Sequence, residues 1–165
     1  MLSSLLYCKI NETKNTEGAS FYENTDHLCQ TYLKELIARY AKQIRKKYDF
    51  EIIELPDEKT PDNASQKEED KIKKTEGTRI LSRIPSDSFV IPLCIEGTPF
   101  STEEFMETWN QLKQDSISCV SFIIGGSLGL SSDVVAKGRI KLSFGNLTFP
   151  HQLMRLILTE QLSRL

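Results

Sequence analysis

The sequence predicts an α/β fold, a parallel sheet covered by helices. Three observations predict it. Short runs such as FEIIEL (50–55), FVIPLCI (89–95) and CVSFII (119–124) are rich in β-branched and aromatic residues, and the last two are near-continuously apolar, like strands covered on both faces. Between them lie segments whose apolar residues recur every three or four positions, the spacing of one helix face. The two kinds of segment alternate along the chain, as strands joined by crossover helices do.

Taken in order, residues 2–10 form a first strand with Leu5, Leu6 and Ile10 apolar, and residues 11–26 are polar and aperiodic, a loop insertion. A helix begins near Asp26 as N-cap, and Leu28, Tyr32, Leu33, Leu36, Ile37, Tyr40, Ala41 and Ile44 make its apolar stripe. Its other face carries Lys34, Arg39, Lys42, Arg45 and Lys46, either a solvated face or the chain's best place to meet phosphates. The strand at 50–55 stops at Pro56, and a loop leads to Ser65. Ser65 and Glu68 form a capping box that opens a helix to about Ser82, mostly charged, with Ile72, Ile80 and Leu81 inward.

Pro92 is awkward in the strand at 89–95, because proline donates no ladder hydrogen bond. Either the strand has an edge there or the proline marks a break beside a ligand. Gly97 and Pro99 end that strand, and Ser101 with Glu104 caps the next helix, where Phe105, Trp109 and Leu112 share one face. Trp109 is expected in the core. The strand at 119–124 ends at Gly125-Gly126. A short helix at 132–137 and a strand at 140–144 follow. The last helix runs from Pro150, with Leu153, Met154, Ile157, Leu158, Leu162 and Leu165 on an apolar side that a second copy of the chain would cover. No repeat and no break in composition divides the chain, so residues 1–165 are expected to form a single domain.

The formal net charge of −2 excludes a globally basic nucleic-acid binder, so RNA contact requires a local patch. Cysteines stand at 8, 29, 94 and 119 without C-x-x-C spacing, beside only two histidines. That argues against a metal and for reduced thiols in a cytoplasmic protein. No apolar run approaches the roughly 18 residues of a membrane span, and the start of the chain does not read as a signal peptide.

Ligands of open α/β sheets bind beyond the carboxyl ends of the strands. Three such ends carry glycine: one leads towards Gly97, one into IIGGSLG, and one into FGNLTFPH. Glycine there lets main chain approach a ligand closely. GGSLG is not G-x-G-x-x-G, and no Walker lysine appears.

FIIGGSLGL, followed by LSFGNLTFPHQLMRLILTEQLSRL, resembles the signature of the RlmH family. These are SPOUT-class methyltransferases acting on a pseudouridine of large-subunit ribosomal RNA. FEIIELPDEK, KTEGTRIL and IEGTPFSTEEF resemble earlier family segments in the same order, so the match covers roughly residues 32–165. The resemblance implies a SPOUT-type sheet with a C-terminal deep trefoil knot, a homodimer, and S-adenosylmethionine as methyl donor. It also implies the ring nitrogen N3 of a pseudouridine in 23S-type rRNA as acceptor. By motif, Leu93, Gly125, Phe144, Gly145, Asn146, Leu147, Thr148 and Phe149 would hold the cofactor. The resemblance assigns no catalytic residue. His151 is a candidate to take the proton of the acceptor nitrogen, and equally a first-turn residue behind Pro150. Arg155 could face a phosphate or a partner subunit, and Glu160 could pair with Arg155 or Arg164. Three positions depart from the family. The first 31 residues lack its opening turn, Pro92 replaces a common threonine, and Ser163 stands where tyrosine leads into a tail beside the active site. The rival reading is therefore a family member that binds cofactor or ribosome without transferring a methyl group.

Overall fold

The computed structural model describes residues 2–9, 29–56, 58, 60–61 and 63–165, with backbone alone for 2–9 and 29–30. In chain order the elements are β1 (Leu2–Lys9), α1 (Cys29–Ile44), β2 (Asp49–Pro56), α2 (Gln66–Arg83), β3 (Phe89–Pro99), α3 (Thr102–Gln114), β4 (Cys119–Ile124), α4 (Ser132–Lys137), β5 (Leu142–Ser143) and α5 (His151–Ser163). The expected insertion at 11–26 and the expected cap at Asp26 lie outside the described residues.

The described strands form one sheet in the order β2-β1-β4-β3-β5. β3 runs parallel to β4 and to β5, while β1 is antiparallel to both β2 and β4. The expected parallel sheet is thus a parallel trio extended by two antiparallel pairings, both made by β1. An apolar run specifies burial, and nothing within it sets the direction of the strand.

Alternation along β4 divides the core in two. Val120, Phe122 and Ile124 face a cluster built from α1, α3 and α5, including Ala41, Ile44, Phe105, Trp109, Leu112, Leu158 and Leu162. Ile123 points the other way, to a smaller cluster with Val90, Ile80 of α2 and Val134 of α4. Each large apolar side chain so buried contributes about 1.5–3 kcal/mol. Trp109 is a core residue, as expected. Its ring meets Tyr48 edge-on at 5.4 Å, stacks on Phe122 at 6.5 Å, and donates its N–H to the Tyr48 hydroxyl at 3.2 Å.

Both capping boxes form, by different means. At α3 the exchange is reciprocal: the Glu104 amide donates to Ser101 Oγ at 3.1 Å and the Ser101 amide donates to Glu104 Oε2 at 2.7 Å. At α2 the Glu68 carboxylate accepts from both the amide and the hydroxyl of Ser65, each at 2.7 Å.

Two strand boundaries and two helix faces differ from expectation. β3 continues through Gly97 to Pro99 because it pairs twice with β5, and β5 itself shrinks to Leu142–Ser143. Tyr32 leaves the apolar stripe of α1 and is exposed, while Ile37, Ala41 and Ile44 are buried. On α5 only Leu158 and Leu162 of the expected stripe are buried, joined by Arg155 and Thr159. Thr159 is accommodated because its hydroxyl returns to the Arg155 carbonyl at 2.9 Å. Leu153, Leu156 and Ile157 remain half-buried.

Pro92 sits inside β3 at a place where nothing asks for its missing N–H. Val90 offers its carbonyl to the Arg139 amide at 3.0 Å, and residues two apart turn the same way. Pro92 therefore directs its nitrogen to that side too, before β5 begins to pair at Leu93. Gly138 fills the space: a Cβ there would fall 2.4 Å from Pro92 Cδ.

Candidate functional site

The last residue of β4 and the first residue of β5 meet in one row at Leu93, in the middle of β3. Leu93 pairs with Ile124 of β4 on one side and with Leu142 of β5 on the other. Past that row β4 enters the turn 125–130, and β5 enters an irregular run at 144–150 that ends where α5 begins. β3 bulges away at 94–97 and returns, so that Leu142 is paired a second time, by Thr98. Gly97 permits the return, because a Cβ there would lie 2.7 Å from the Leu142 carbonyl carbon.

Ser143 joins two of these segments. Its buried hydroxyl accepts from the Gly145 amide at 3.1 Å and lies 3.2 Å from the carbonyl oxygens of Ile95 and Gly145, with one proton to give. The bulge of β3 and the run after β5 are thereby held together. Sequence reasoning missed Ser143. The signal available was its place in the quoted LSFG stretch, two residues ahead of a turn glycine.

The residues expected to hold the cofactor fall into three groups. Leu93 is buried and its side chain belongs to the larger core, so it can offer a ligand only main chain. Gly125 closes a tight turn: a Cβ there would lie 2.9 Å from the Gly129 carbonyl carbon and 3.0 Å from Leu130. Its glycine is explained by the turn itself, whether or not a ligand approaches. Phe144 to Phe149 lie side by side in the irregular run after β5. Phe144 packs partly on the core, Gly145 and Phe149 are half-buried, and Asn146, Leu147 and Thr148 are exposed, Leu147 at 71%. Gly145 has φ +112°, with open space where a Cβ would stand. Only glycine adopts that backbone without strain.

This composition fits an adenosine-type cofactor. Phe144, Leu147 and Phe149 supply apolar surface, Gly145 supplies main chain with no Cβ beside it, and no charged side chain intervenes in the run. Among the described residues no group of three or more His, Cys, Asp or Glu could hold a metal ion. No described helix is long and apolar enough to cross a membrane.

Burial shifts two of the neighbouring titratable groups, Arg155 and Cys94. His151 is half-buried at the first position of α5, directly after the run. Arg155, one turn on, is 2% exposed and ion-paired with Glu54 of β2, with Gln152 Oε1 3.3 Å from its Nη1. Burial pulls its guanidinium pKa down, and Glu54 opposes the shift. Glu160 pairs with Arg164, one of the two partners expected for it. The Cys94 thiol, on the bulge of β3, is pushed up by burial and then by Glu96. Neither Cys94 nor Cys119 is in a disulfide; Cys94 is partly buried, and the buried Cys119 thiol donates to Ser88 Oγ at 3.2 Å.

Two other features lie elsewhere. A cleft of about 560 Å³ between the end of α2 and α4, lined by Leu81, Ile84, Pro85, Ala136 and Lys137 among others, includes none of the expected site residues. The basic face of α1 is exposed at Arg39, Lys42, Arg45 and Lys46 and half-buried at Lys34. Arg45 Nε donates to the Phe50 carbonyl at 3.0 Å. Phe50 lies in register with Cys8 and Val120, at the amino end of β4. The Ile124–Leu93–Leu142 row is four residues further along β4, about 13 Å at the rise of a strand.

Comparison with known proteins identifies the family. The family described as "Predicted SPOUT methyltransferase" matches residues 25–165. Proteins named ribosomal RNA large subunit methyltransferase H, from Streptococcus pneumoniae strains CGSP14, 70585 and JJA, are 53% identical to this chain over 137 residues. The aligned part covers 83% of this chain and 86% of each of those relatives. The α/β fold, its parallel trio of strands and these matches lead to one assignment: the chain belongs to the ribosomal RNA large subunit methyltransferase H family of SPOUT methyltransferases.

Proposed function

We propose that this protein is an S-adenosylmethionine-dependent methyltransferase that methylates ring nitrogen N3 of a pseudouridine in 23S-type large-subunit rRNA. The observation that carries the reading is the row Ile124–Leu93–Leu142, where β4 ends, β3 begins its bulge and β5 starts, with the 144–149 run leaving from the same edge of the sheet. The cofactor supplies an electrophilic methyl group on a sulfonium. The apolar side chains of Phe144, Leu147 and Phe149 would flank the adenine faces, and main chain of the run would meet its edge. The turn at Gly125 and the main chain of Leu93 would close the remaining sides.

Such a site acts mainly by alignment and by excluding water, which accounts for its lack of charged side chains. The acceptor N3 belongs to an imide and must give up its proton. No residue is assigned that task. His151 is the candidate to test, because it follows the run directly and opens α5.

The same reading carries a C-terminal trefoil knot, one SPOUT domain over residues 1–165, and the cytoplasm as the compartment where ribosomes are met. It also carries a homodimer through α5, supported by the half-buried Leu153, Leu156 and Ile157 on that helix.

Calorimetry with S-adenosylhomocysteine tests the pocket, and methyl transfer to ribosomes lacking the modification tests the reaction. Binding together with transfer is expected. Absence of binding at millimolar ligand would overturn the reading. Binding without transfer would leave a cofactor-binding family member that is not an enzyme. Sedimentation as a monomer would remove the dimer.

A further inference from the structure

The segment KTEGTRIL, on α2, has a structural role that the proposed pocket does not yet use. Glu76 is buried and accepts the amide of Glu58 at 2.9 Å. Arg79 pairs with Glu58 and bonds the Pro56 carbonyl at 3.3 Å, so α2 is tied to the end of β2. Between these two residues lies Gly77, which is buried. A Cβ built on Gly77 would stand 2.1 Å from Ser131 Oγ and 2.9 Å from Ser131 Cβ. No side chain fits there, and the contact is with the residue that caps α4.

That contact matters because α4 cannot position itself. It has six residues, too few to be stable alone. Ser131 Oγ accepts from the Val134 amide at 3.4 Å, and at the other end Gly138 seats against Pro92. Immediately before Ser131 comes the turn 125–130. There the Gly129 amide donates to the Gly126 carbonyl at 2.9 Å, and Gly125 is packed against Gly129 and Leu130. So tight a turn shifts as a unit with the residue that follows it.

We infer that Gly77 is a positioning residue for the cofactor turn: its missing side chain lets α2 close on Ser131, which fixes the turn 125–130 at the end of β4. The placement of the turn follows from the contacts alone. Its consequence for the cofactor rests on the function proposed above.

The test is Gly77→Ala, alone and combined with Ser131→Gly, which removes the atoms a new Cβ would meet. Alanine is the better helix former, so a loss cannot come from α2 itself. Two readouts are needed. Amide exchange at Gly129 in the ligand-free protein reports the turn. Calorimetry with S-adenosylhomocysteine reports the pocket. In Gly77→Ala, exchange at Gly129 should quicken and affinity should fall by about tenfold or more, the effect of overpacking a rigid contact. The double variant should recover both. Where Gly77→Ala does not fold, Ser131→Gly alone should still quicken exchange at Gly129 by opening the same contact. A folded Gly77→Ala with natural exchange and affinity would overturn the inference, as would a loss that Ser131→Gly does not rescue. If the natural protein fails to bind the ligand, the cofactor reading falls while the exchange measurement still decides the role of Gly77.

Discussion

The guanidinium of Arg155 on α5 is paired with the carboxylate of Glu54 on β2, across 101 residues of chain. The two ends of the pair differ: the Arg155 side chain is 3% exposed and that of Glu54 is 41% exposed. Removing the exposed end takes the carboxylate from a cation in the interior, leaving it neutral partners such as Gln152, whereas removing the buried end leaves a carboxylate that water can reach. Glu54→Gln should therefore destabilise the protein more than Arg155→Met. For a fully buried pair the loss is about 3–5 kcal/mol, and solvent access at Glu54 reduces it here to about 1–3 kcal/mol. Urea unfolding of both variants checks the order. Equal losses, or a larger one for Arg155→Met, would mean that the buried charge is satisfied elsewhere.

Gly145 and Gly125 call for different substitutions. Alanine at Gly125 would collide with its own turn, so lost cofactor affinity there says little about ligand contact. At Gly145 a Cβ meets nothing, and the cost is the backbone at φ +112°. Gly145→Ala should make the 144–149 run relax to another conformation, while the melting temperature stays nearly unchanged because the run lies outside the helices and strands. Affinity for S-adenosylhomocysteine should drop at least tenfold, the effect of about 1.4 kcal/mol. Unchanged affinity by calorimetry would remove the run from the pocket.

The cap of α2 is pH-dependent. The amide and hydroxyl of Ser65 bond to the Glu68 carboxylate and hold its pKa below the ordinary glutamate value. A carboxylate depressed by folding stabilises the native state above its unfolded pKa, and that contribution is lost as pH falls through the folded value. Glu68→Gln keeps the shape and removes the charge. Its melting temperature should lie below that of the natural protein at neutral pH, and the gap should close in acid. A gap that persists at the lowest pH would assign the effect to shape rather than charge.

What the sequence disclosed depended on range. The boxes at Ser65 and Ser101 are three-residue relationships, and the short apolar runs announce burial, so these features were legible directly. The run 144–149 and the Gly125 turn were singled out through family likeness, and both follow the Ile124–Leu93–Leu142 row on one edge of the sheet. Strand direction was not legible, because it depends on how the chain returns. The double pairing of Leu142 with Leu93 and Thr98 is written in main-chain hydrogen bonds, which carry no side-chain signature. Ser143, Gly77 and the Glu54 partner of Arg155 act through contacts with residues remote in sequence, and each reads as ordinary on its own.

The basic face of α1 gives the last prediction, and its position shapes the expected result. Lys42, Arg45 and Lys46 are exposed at the end of α1, and Arg45 reaches Phe50, whose row in the sheet lies about 13 Å along the strands from the row that carries the candidate pocket. Arg45 already spends one donor on the Phe50 carbonyl, so Lys42 and Lys46 are the better candidates for phosphate contact. If rRNA lies along this face, it meets them at nucleotides away from the methylated one. The double change Lys42→Ala with Lys46→Ala should weaken rRNA binding for any sequence and lower the slope of log affinity against log salt by about 0.7–0.9 per lost phosphate contact. The KM for ribosomes should rise, while kcat and affinity for S-adenosylhomocysteine stay at natural values, because neither lysine belongs to the candidate pocket. An unchanged salt slope would return this face to plain solvation. A fall in kcat would mean that the face lies closer to the reacting base than the protomer's own sheet allows, as it could across a dimer.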